Sequence, residues 1–456
     1  MCGIFGAYSF SGEDVVKKIY YGLYALQHRG QEGAGIAVSN GDSIYSYRGL
    51  GLVSEVFNKK VINSLKGEVG IGHVRYSTTG GTLLENCQPF IVNSSLGNLA
   101  VAHNGDILNS HILRKELERQ GHIFTSSTDS EVIAHLLVKE LLRTGDIIQS
   151  IEEVSKRIIG AYSLVILYNN SLIAVRDPHG FKPLCIGRDE EDNYYISSES
   201  CGLDVINGEL IRDVSPGEVI MINRDGIETY KIGEKVEGSA CMFEYVYFAR
   251  PDSIIDGISV YNVRRKLGKI LAREEPCEGD IVSPVPDSGI IAAIGYSEEL
   301  GIPYYEALIK NKYVGRTFIL PSQEERDLAV RLKLNPVKPI IEGKKVILID
   351  DSIVRGTTSK RIVNIVKKAG AKEVHLRVSS PRIISPCYYG IDMPTKEELI
   401  ASSKSLEEIR RYINVDSLGY LSIEGLVKGI GRKDLCLACV TGRYPTDVSC
   451  KLCCRL

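Results

Sequence analysis

The apolar positions of this chain predict helices and strands that alternate along its length. A helix is predicted from about Asp14 to His28, where apolar residues recur at helical spacing: Val16, Ile19, Tyr20, Leu23 and Leu26. Residues 161–167 and 218–222 have the pattern of strands. Residues 346–349 form a continuous apolar run, which is typical of a strand buried on both faces of a parallel sheet. The patterns predict an α/β and α+β protein with one domain at 2–235 and a second at 236–456.

The composition is that of a globular protein able to build large cores. The chain has 456 residues, of which 44% are hydrophobic and 25% charged, and its net charge is −2. It therefore lacks the basic excess that would indicate a nucleic-acid partner. We find no charged-then-apolar leader and no apolar run long enough to span a bilayer, so we expect no membrane contact and a cytoplasmic location.

The second residue carries the first candidate chemistry. If Met1 is removed, Cys2 presents a thiol and a free α-amine on one residue. The thiolate is the competent nucleophile, and an α-amine, whose ordinary pKa is about 8, can accept the thiol proton. Cys2 would then supply both nucleophile and base for acyl transfer. A cysteine near the start of a chain can also be incidental, so the motifs further along the chain decide whether Cys2 is catalytic.

Three later segments place polar residues beside glycines. They are 27–35 (QHRGQEGAG), 72–80 (GHVRYSTTG) and 102–106 (AHNGD). Together with the initial Cys-Gly-Ile, they resemble the class II glutamine amidotransferase domain, an N-terminal-nucleophile hydrolase with a four-layer αββα fold. The resemblance implies that Cys2 attacks the side-chain amide of glutamine and releases ammonia.

Hydrolysis of glutamine needs a partner for each charge of the substrate and of the transition state. The Asn104 side-chain amide and the Gly105 backbone N–H can stabilise the oxyanion, and Arg75 has the geometry to bind the α-carboxylate. Asp129 matches the family's residue for the α-ammonium. Asn-Gly is also a common turn, and Asp129 also suits the first turn of the helix that the following apolar pattern predicts.

The strongest motif of the second half follows the apolar run 346–349. Asp350 and Asp351 come at the carboxyl end of this predicted strand, and a Gly/Thr-rich turn leads into a helix at 359–369. Ligands of such sheets bind beyond the carboxyl ends of the strands, and backbone N–H groups at a turn before a helix suit a phosphate. The same arrangement of acids and helix also occurs in other α/β proteins.

The string 346–358 resembles the phosphoribosylpyrophosphate (PRPP) signature of type I phosphoribosyltransferases, whose core is a parallel sheet. The resemblance implies that Asp350 and Asp351 lie at the ribose hydroxyls and help to hold Mg²⁺. It also implies a loop around the 5-phosphate, formed by Val354, Arg355, Gly356, Thr357 and Thr358.

Two further segments resemble parts of the same PRPP site. Residues 283–289 follow a predicted strand at 280–282 and open a predicted helix at 290–300, and there Ser288 corresponds to a magnesium ligand. Lys310 and Lys312 begin a segment, 310–323, that resembles the mobile loop closing over PRPP. Because the leaving diphosphate is highly charged, Mg²⁺ together with lysine and arginine is the expected electrostatic clamp.

The chain has 12 cysteines, which is many for a protein with reduced thiols. Four of them match the ligands of a [4Fe–4S] cluster in the iron–sulfur type of the family named below: Cys241, Cys387, Cys436 and Cys439. A rival interpretation uses the C-terminal segment alone, as a four-cysteine zinc knuckle formed by Cys436, Cys439, Cys450 and Cys453.

The order of glutaminase followed by phosphoribosyltransferase resembles the glutamine PRPP amidotransferase family. The resemblance implies synthesis of 5-phosphoribosylamine from PRPP, glutamine and water, the first committed step of de novo purine nucleotide synthesis, with internal transfer of ammonia. It also implies feedback inhibition by purine nucleotides and a homotetramer. Another class II glutaminase fusion and a non-enzymatic PRPP-sensing regulator are alternatives. The PRPP signature disfavours the first, and Cys2, Arg75 and Asn104 disfavour the second.

Overall fold

A computed structural model of the chain describes residues 1–41, 43–76, 81–234, 236–311, 334–393 and 395–452. The predicted diphosphate-binding Lys312 and the rest of the segment up to 323 lie outside the described residues, as does Cys453. Within the described part, no helix is both long enough and apolar enough to cross a bilayer.

The first half consists of antiparallel strands and of helices that flank them. The strands are β1 Gly3–Tyr8, β2 Gly33–Ser39, β3 Ile44–Leu50, β4 Val69–Arg75, β5 Phe90–Ser94, β6 Gly97–Ile107, β7 Gly160–Tyr168, β8 Ser171–Arg176, β9 Cys185–Arg188, β10 Tyr194–Ser197, β11 Glu209–Asp213, β12 Glu218–Asn223 and β13 Gly226–Lys231. The helices are α1 Val16–Ala25, α2 Val53–Val56, α3 Lys59–Ser64, α4 Ser110–Arg119, α5 Asp129–Thr144, α6 Ile147–Ser155 and α7 Cys201–Asp204, with 3₁₀ turns at Gln27–Arg29 and Leu84–Asn86.

These strands form two sheets that pack face to face. One has the order β11-β9-β10-β1-β4-β2-β3 and the other β13-β12-β8-β7-β6-β5. Buried residues of both sheets, such as Ile4 and Val165, share the core between them. Helix α1 packs on the outer face of the first sheet, and helices α5 and α6 pack on the outer face of the second. The predicted four-layer αββα fold is therefore confirmed.

The second half is built around a parallel sheet. Its strands are β14 Ala240–Cys241, β15 Ile254–Ile255, β16 Ile258–Ser259, β17 Ile281–Pro284, β18 Leu308–Lys310, β19 Leu334–Pro336, β20 Lys345–Asp350, β21 Glu373–Val378, β22 Ser417–Tyr420 and β23 Leu435–Cys436. The helices are α8 Val260–Glu274, α9 Ile290–Leu300, α10 Lys338–Ile341, α11 Thr357–Lys368, α12 Ile400–Ser403, α13 Leu406–Ile413, α14 Ile423–Ile430, α15 Ala438–Thr441 and α16 Ser449–Leu452, with a π-helix at Glu244–Phe248 and a 3₁₀ turn at Lys396–Glu398.

The parallel sheet has the order β17-β20-β21-β22, with α9 following β17 and α11 following β20. In such units the carboxyl ends of the strands meet at one edge, where the predicted PRPP motifs both lie. The phosphoribosyltransferase type of fold is thereby confirmed. Helix α11 begins at Thr357, two residues earlier than the pattern predicts, because Gly356 turns the chain in the left-handed region at φ 74°.

The two halves meet in a shared apolar core. Met1 is buried in the same cluster as Met242, Phe243 and Tyr245 of the second half. The short strand β14 pairs in parallel with β23, which ties the start of the second half to its end. The last strand of the first half ends at Lys231 and β14 begins at Ala240, so the predicted boundary at 235 falls between them and stays a prediction.

Candidate active sites

Cys2 lies at the start of β1, in the middle of the first sheet. Its backbone N–H donates to Oδ1 of Asn104 over 3.2 Å, and its Sγ lies 3.6 Å from the carbonyl oxygen of Tyr76. Arg29 Nε donates to the Cys2 carbonyl oxygen over 3.0 Å. Removal of Met1 would turn the Cys2 nitrogen into an α-amine next to the thiol, which is the arrangement that the sequence predicts.

The two predicted oxyanion donors lie on β6, directly beside Cys2. Asn104 is fully buried, and its Nδ2 has no hydrogen-bond partner. A buried amide donor without a partner costs about 1–3 kcal/mol, so such a group points to a ligand oxygen that it can serve. Gly105 pairs with Tyr162 of β7, and a Cβ there would lie 1.9 Å from the Ala161 carbonyl oxygen, so only glycine fits.

The predicted glutamine-binding charges flank this pair. Arg75 ends β4, is buried, and lies 3.7 Å from Glu32. Asp129 is the first residue of α5 and accepts a hydrogen bond of 2.9 Å from the Ile107 N–H at the end of β6. A cavity of about 520 Å³ borders Asp129 on the side of Arg114. Asp129 thus occupies the start of the helix and also borders a cavity, and its role as a partner of an α-ammonium stays a prediction.

A cavity of about 850 Å³ lies at the carboxyl edge of the parallel sheet. It is lined by Ser288, Lys310, Asp350, Asp351, Val354, Arg355, Gly356, Thr357 and Thr358. The described residues of the predicted PRPP site therefore come together in one place. Its wall also includes His28, Arg29 and Tyr76, which belong to the first half.

The two acids at the end of β20 form a desolvated, repelling pair. Burial and the charge of Asp351 raise the pKa of Asp350 well above its ordinary value. Burial also raises the pKa of Asp351, which hydrogen bonds from Ser288 and Ser352 and the charge of Arg264 partly oppose. A pair of this kind is stabilised by a cation.

Among the described residues, no three His, Cys, Asp or Glu side chains are arranged to hold a metal ion by themselves. Mg²⁺ binds through one or two carboxylates together with waters and substrate phosphates. The acid pair and the Ser288 hydroxyl therefore fit a magnesium ion that arrives with a phosphorylated substrate.

The loop after the acid pair is shaped for an anion. Gly356 turns the chain, and Thr357 and Thr358, in the first turn of α11, line the same cavity. The first N–H groups of a helix have no partner within the helix. Arg355 is half exposed and pairs with Glu398 at 2.5 Å. Lys310, at the end of β18, pairs with Asp287 at 2.5 Å across the cavity rim.

The four cysteines of the predicted cluster are neighbours at the junction. Cys241 and Cys436 are partners in the parallel pairing of β14 with β23. The Cys439 carbonyl oxygen accepts the N–H groups of Ile384 and Ser385, just before Cys387. Burial raises the pKa of Cys241 to about 11, and burial together with the neighbouring thiols raises the pKa of Cys439 well above its ordinary value.

These four thiols match an iron–sulfur cluster in donor type and in number. Cys387 and Cys450 both pack against one apolar cluster. Of the rival zinc knuckle, Cys453 lies outside the described residues.

Sequence reasoning missed the buried charges between the two sites. Arg29 donates to both carboxylate oxygens of Glu244, at 2.8 and 3.0 Å, and it also pairs with Glu199. His28 lies 2.7 Å from the same Glu199 carboxylate. The only signal in the sequence is that His28 and Arg29 lie in one of the three resemblance segments, without an assigned role.

Comparison with known proteins matches both halves. A model of the glutamine amidotransferase domain matches residues 73–204, and a model of the phosphoribosyl transferase domain matches residues 256–383. Proteins named amidophosphoribosyltransferase from Methanocaldococcus jannaschii and Archaeoglobus fulgidus are 65% and 55% identical to the chain, each over 98% of both proteins. The solved glutamine PRPP amidotransferase of Bacillus subtilis, complexed with ADP and GMP, is 49% identical, with a TM-score of 0.92 over 98% of both chains.

Proposed function

We propose that the two sites of this chain, which belongs to the amidophosphoribosyltransferase family, act as one unit that passes ammonia internally from Cys2 to PRPP. The chain catalyses glutamine-dependent synthesis of phosphoribosylamine: PRPP, glutamine and water give phosphoribosylamine, glutamate and diphosphate. The observation that carries the proposal of one unit is the cavity of about 850 Å³, whose wall combines the acid pair with His28, Arg29 and Tyr76 of the glutaminase half.

In the proposed glutaminase reaction, Cys2 acts after removal of Met1. Its α-amine takes the thiol proton, and Sγ forms a bond with the side-chain carbonyl carbon of glutamine. Asn104 Nδ2 and the Gly105 N–H bind the resulting oxyanion. The intermediate collapses to a thioester as ammonia leaves with the proton from the α-amine, and water then hydrolyses the thioester to glutamate.

The proposed roles of Arg75 and Asp129 are to fix the substrate. Arg75 binds the α-carboxylate of glutamine, which displaces the loose contact with Glu32. Asp129 binds the α-ammonium, and its hydrogen bond from Ile107 keeps it aligned with β6, which carries both oxyanion donors. Together these contacts hold the amide carbon near Sγ.

In the proposed transferase reaction, ammonia attacks C1 of PRPP, the bond to diphosphate breaks, and the new amine loses a proton. Asp350 and Asp351 hold the ribose hydroxyls, and residues 354–358 surround the 5-phosphate. Lys310 releases Asp287 and binds the diphosphate, and Lys312 is proposed to bind the diphosphate as well. Mg²⁺, held with the help of Ser288 and the acid pair, would neutralise the leaving diphosphate.

The iron–sulfur type of the family is also a proposal for this chain. Cys241, Cys387, Cys436 and Cys439 would hold a [4Fe–4S] cluster, which fits the mutual closeness and burial of their thiols. Such a cluster would stabilise the junction of β14 with β23 and the segment before Tyr388.

Membership of the family supports three further proposals. We propose a homotetramer, a cytoplasmic location that keeps the thiols reduced, and inhibition by purine nucleotides. The last is supported by the Bacillus subtilis relative, which was solved with ADP and GMP. Nothing in the near-neutral charge of the chain supports a nucleic-acid partner.

The test of two separable sites is Cys2→Ala. We expect glutamine-dependent synthesis to be abolished and ammonia-dependent synthesis to stay near the wild-type rate, because the nucleophile is not part of the PRPP cavity. Cys277→Ala, which removes a half-buried thiol outside both sites, should leave both rates unchanged. Equal loss of both activities in folded Cys2→Ala would contradict the proposal.

A further inference from the structure

One buried lysine of the glutaminase half has no carboxylate partner in the part of the chain that the structure describes. Lys182 is fully buried, and its Nζ donates over 2.9 Å to Met1 Sδ. Among the described residues, no ion pair joins this ammonium to an acid. Two other deeply buried cations differ, because Arg29 binds the Glu244 carboxylate and Arg176 binds that of Asp256. Since a lysine is almost never fully buried without a partner, Lys182 points to an anion.

Met1 does not supply this anion. A thioether sulfur is a weak acceptor and carries no charge. The proposed reaction of Cys2 also requires the removal of Met1, which takes the contact with Sδ away. Glu244 is engaged through both carboxylate oxygens by Arg29, at 2.8 and 3.0 Å. In the mature chain Lys182 therefore needs a negative partner of another kind.

The backbone around Lys182 lies directly beside the cysteine group. The Cys241 N–H donates over 3.0 Å to the carbonyl oxygen of Phe181, the residue before Lys182. The Phe181 ring stacks on the ring of Tyr389, with the two centroids 4.2 Å apart. The Tyr389 N–H in turn donates to Cys387 Sγ over 3.3 Å. The segment that carries the lysine is thus held against two of the segments that carry the thiols.

The side chain of Lys182 extends toward the same thiols. Met1, which its Nζ contacts, packs in one apolar cluster with Cys439, and Cys241 packs against that cluster. Burial raises the pKa of Cys436, and the charge of Lys182 is among the influences that oppose this rise. A cation beside a cysteine favours the thiolate, which is the form that binds a metal.

We propose that Lys182 is the counter-cation of the group held by the four junction cysteines, an inference that rests on the proposed [4Fe–4S] cluster. A cluster bound by four thiolates carries a net negative charge, and a charge in an apolar site needs compensation. The ammonium supplies this compensation from the first half, whereas all four cysteines belong to the second half. Retention of the cluster is thereby linked to the packing of the two halves against each other.

The experiment measures how long the cluster stays bound. Wild type, Lys182→Met and Lys182→Arg are purified without oxygen, and protein-bound iron, sulfide and visible absorbance are followed after addition of an iron chelator. Lys182→Met keeps the length of the side chain and removes its charge. We expect this variant to lose iron about tenfold faster, which is the low end of the effect that partners outside the ligand set have on metal affinity. Lys182→Arg keeps the charge, so its rate should lie closer to that of the wild type.

Two further variants complete the test. Lys182→Gln also removes the charge and carries the test if Lys182→Met does not fold. Lys18→Met is the matched control, because Lys18 lies on helix α1 and pairs with Asp189 at 3.5 Å. It removes a lysine of the same half and should leave the rate of iron loss unchanged.

The outcomes distinguish this inference from the proposals on which it rests. Iron retained at the wild-type rate after loss of the Lys182 charge would overturn the inference and leave the cluster standing. Equally rapid loss in Lys182→Arg would overturn it too, because packing rather than charge would then hold the cluster. Anaerobic wild-type protein without iron would overturn the inference together with the cluster. Synthesis of phosphoribosylamine by that same protein would show that the two-site reaction is unaffected.

Discussion

Substitution of Gly390 by alanine tests how the cysteine-bearing segment of the second half supports the oxyanion site. Gly390 follows the segment Cys387–Tyr389 and has φ 93°, a conformation that alanine adopts with strain. A Cβ at Gly390 would lie 2.9 Å from the carbonyl carbon and oxygen of Gly105. Gly105 cannot retreat, because its other side contacts the Ala161 carbonyl.

Two magnitudes follow from this geometry. The left-handed conformation costs alanine about 1–2 kcal/mol of stability. The contact should displace Gly105, the proposed oxyanion donor. Complete loss of such a donor costs about 3–4 kcal/mol in the barrier, so partial displacement should lower kcat for glutamine by about tenfold to a hundredfold. The PRPP cavity does not include Gly390, so ammonia-dependent synthesis should fall much less.

Gly431→Ala is the matched control. Gly431 follows α14 with φ 87°, and a Cβ there would have nothing within 4 Å. The loss of stability in Gly431→Ala therefore measures the cost of backbone strain alone. Thermal unfolding and both activities would be measured for the two variants. The reasoning is refuted if Gly390→Ala loses stability like Gly431→Ala but keeps the wild-type kcat for glutamine hydrolysis.

Three other predictions concern the second site, the cluster and the oxyanion. Asp350→Asn with Asp351→Asn should abolish synthesis from either nitrogen source, and normal PRPP affinity in this double variant would exclude the assigned role. Anaerobically purified protein should contain about four iron and four sulfide per chain, whereas one zinc without iron would favour the C-terminal knuckle. Asn104→Ala should lower glutamine turnover by about a hundredfold or more with ammonia-dependent synthesis retained, and an unchanged rate would remove Asn104 from the oxyanion site.

Much of the fold could be predicted because its signals are local. The apolar run before Asp350 and the glycine at 356 fix a buried strand and the start of α11 within a few residues. The meeting of Ser288 with Asp351 could also be anticipated, because the carboxyl ends of neighbouring parallel strands lie at one edge.

The contacts between the two halves could not be predicted from local patterns. Arg29 meets Glu244, and Gly390 meets Gly105, across long separations in the chain that only the packed fold brings together. A buried arginine also has no periodic signature, since the residue type is usually exposed and its carboxylate partner can lie anywhere in the sequence.

The central claim is that ammonia passes inside the protein from Cys2 to PRPP. The direct measurement supplies glutamine labelled with ¹⁵N in its amide, saturating PRPP, and unlabelled ammonium that exceeds the ammonia released but is too dilute to support measurable synthesis by Cys2→Ala, and it determines the label in phosphoribosylamine by mass spectrometry. The account predicts a product that is labelled almost completely, because the released ammonia does not mix with the solvent. A label diluted to the ratio of the bulk ammonia pool would contradict it.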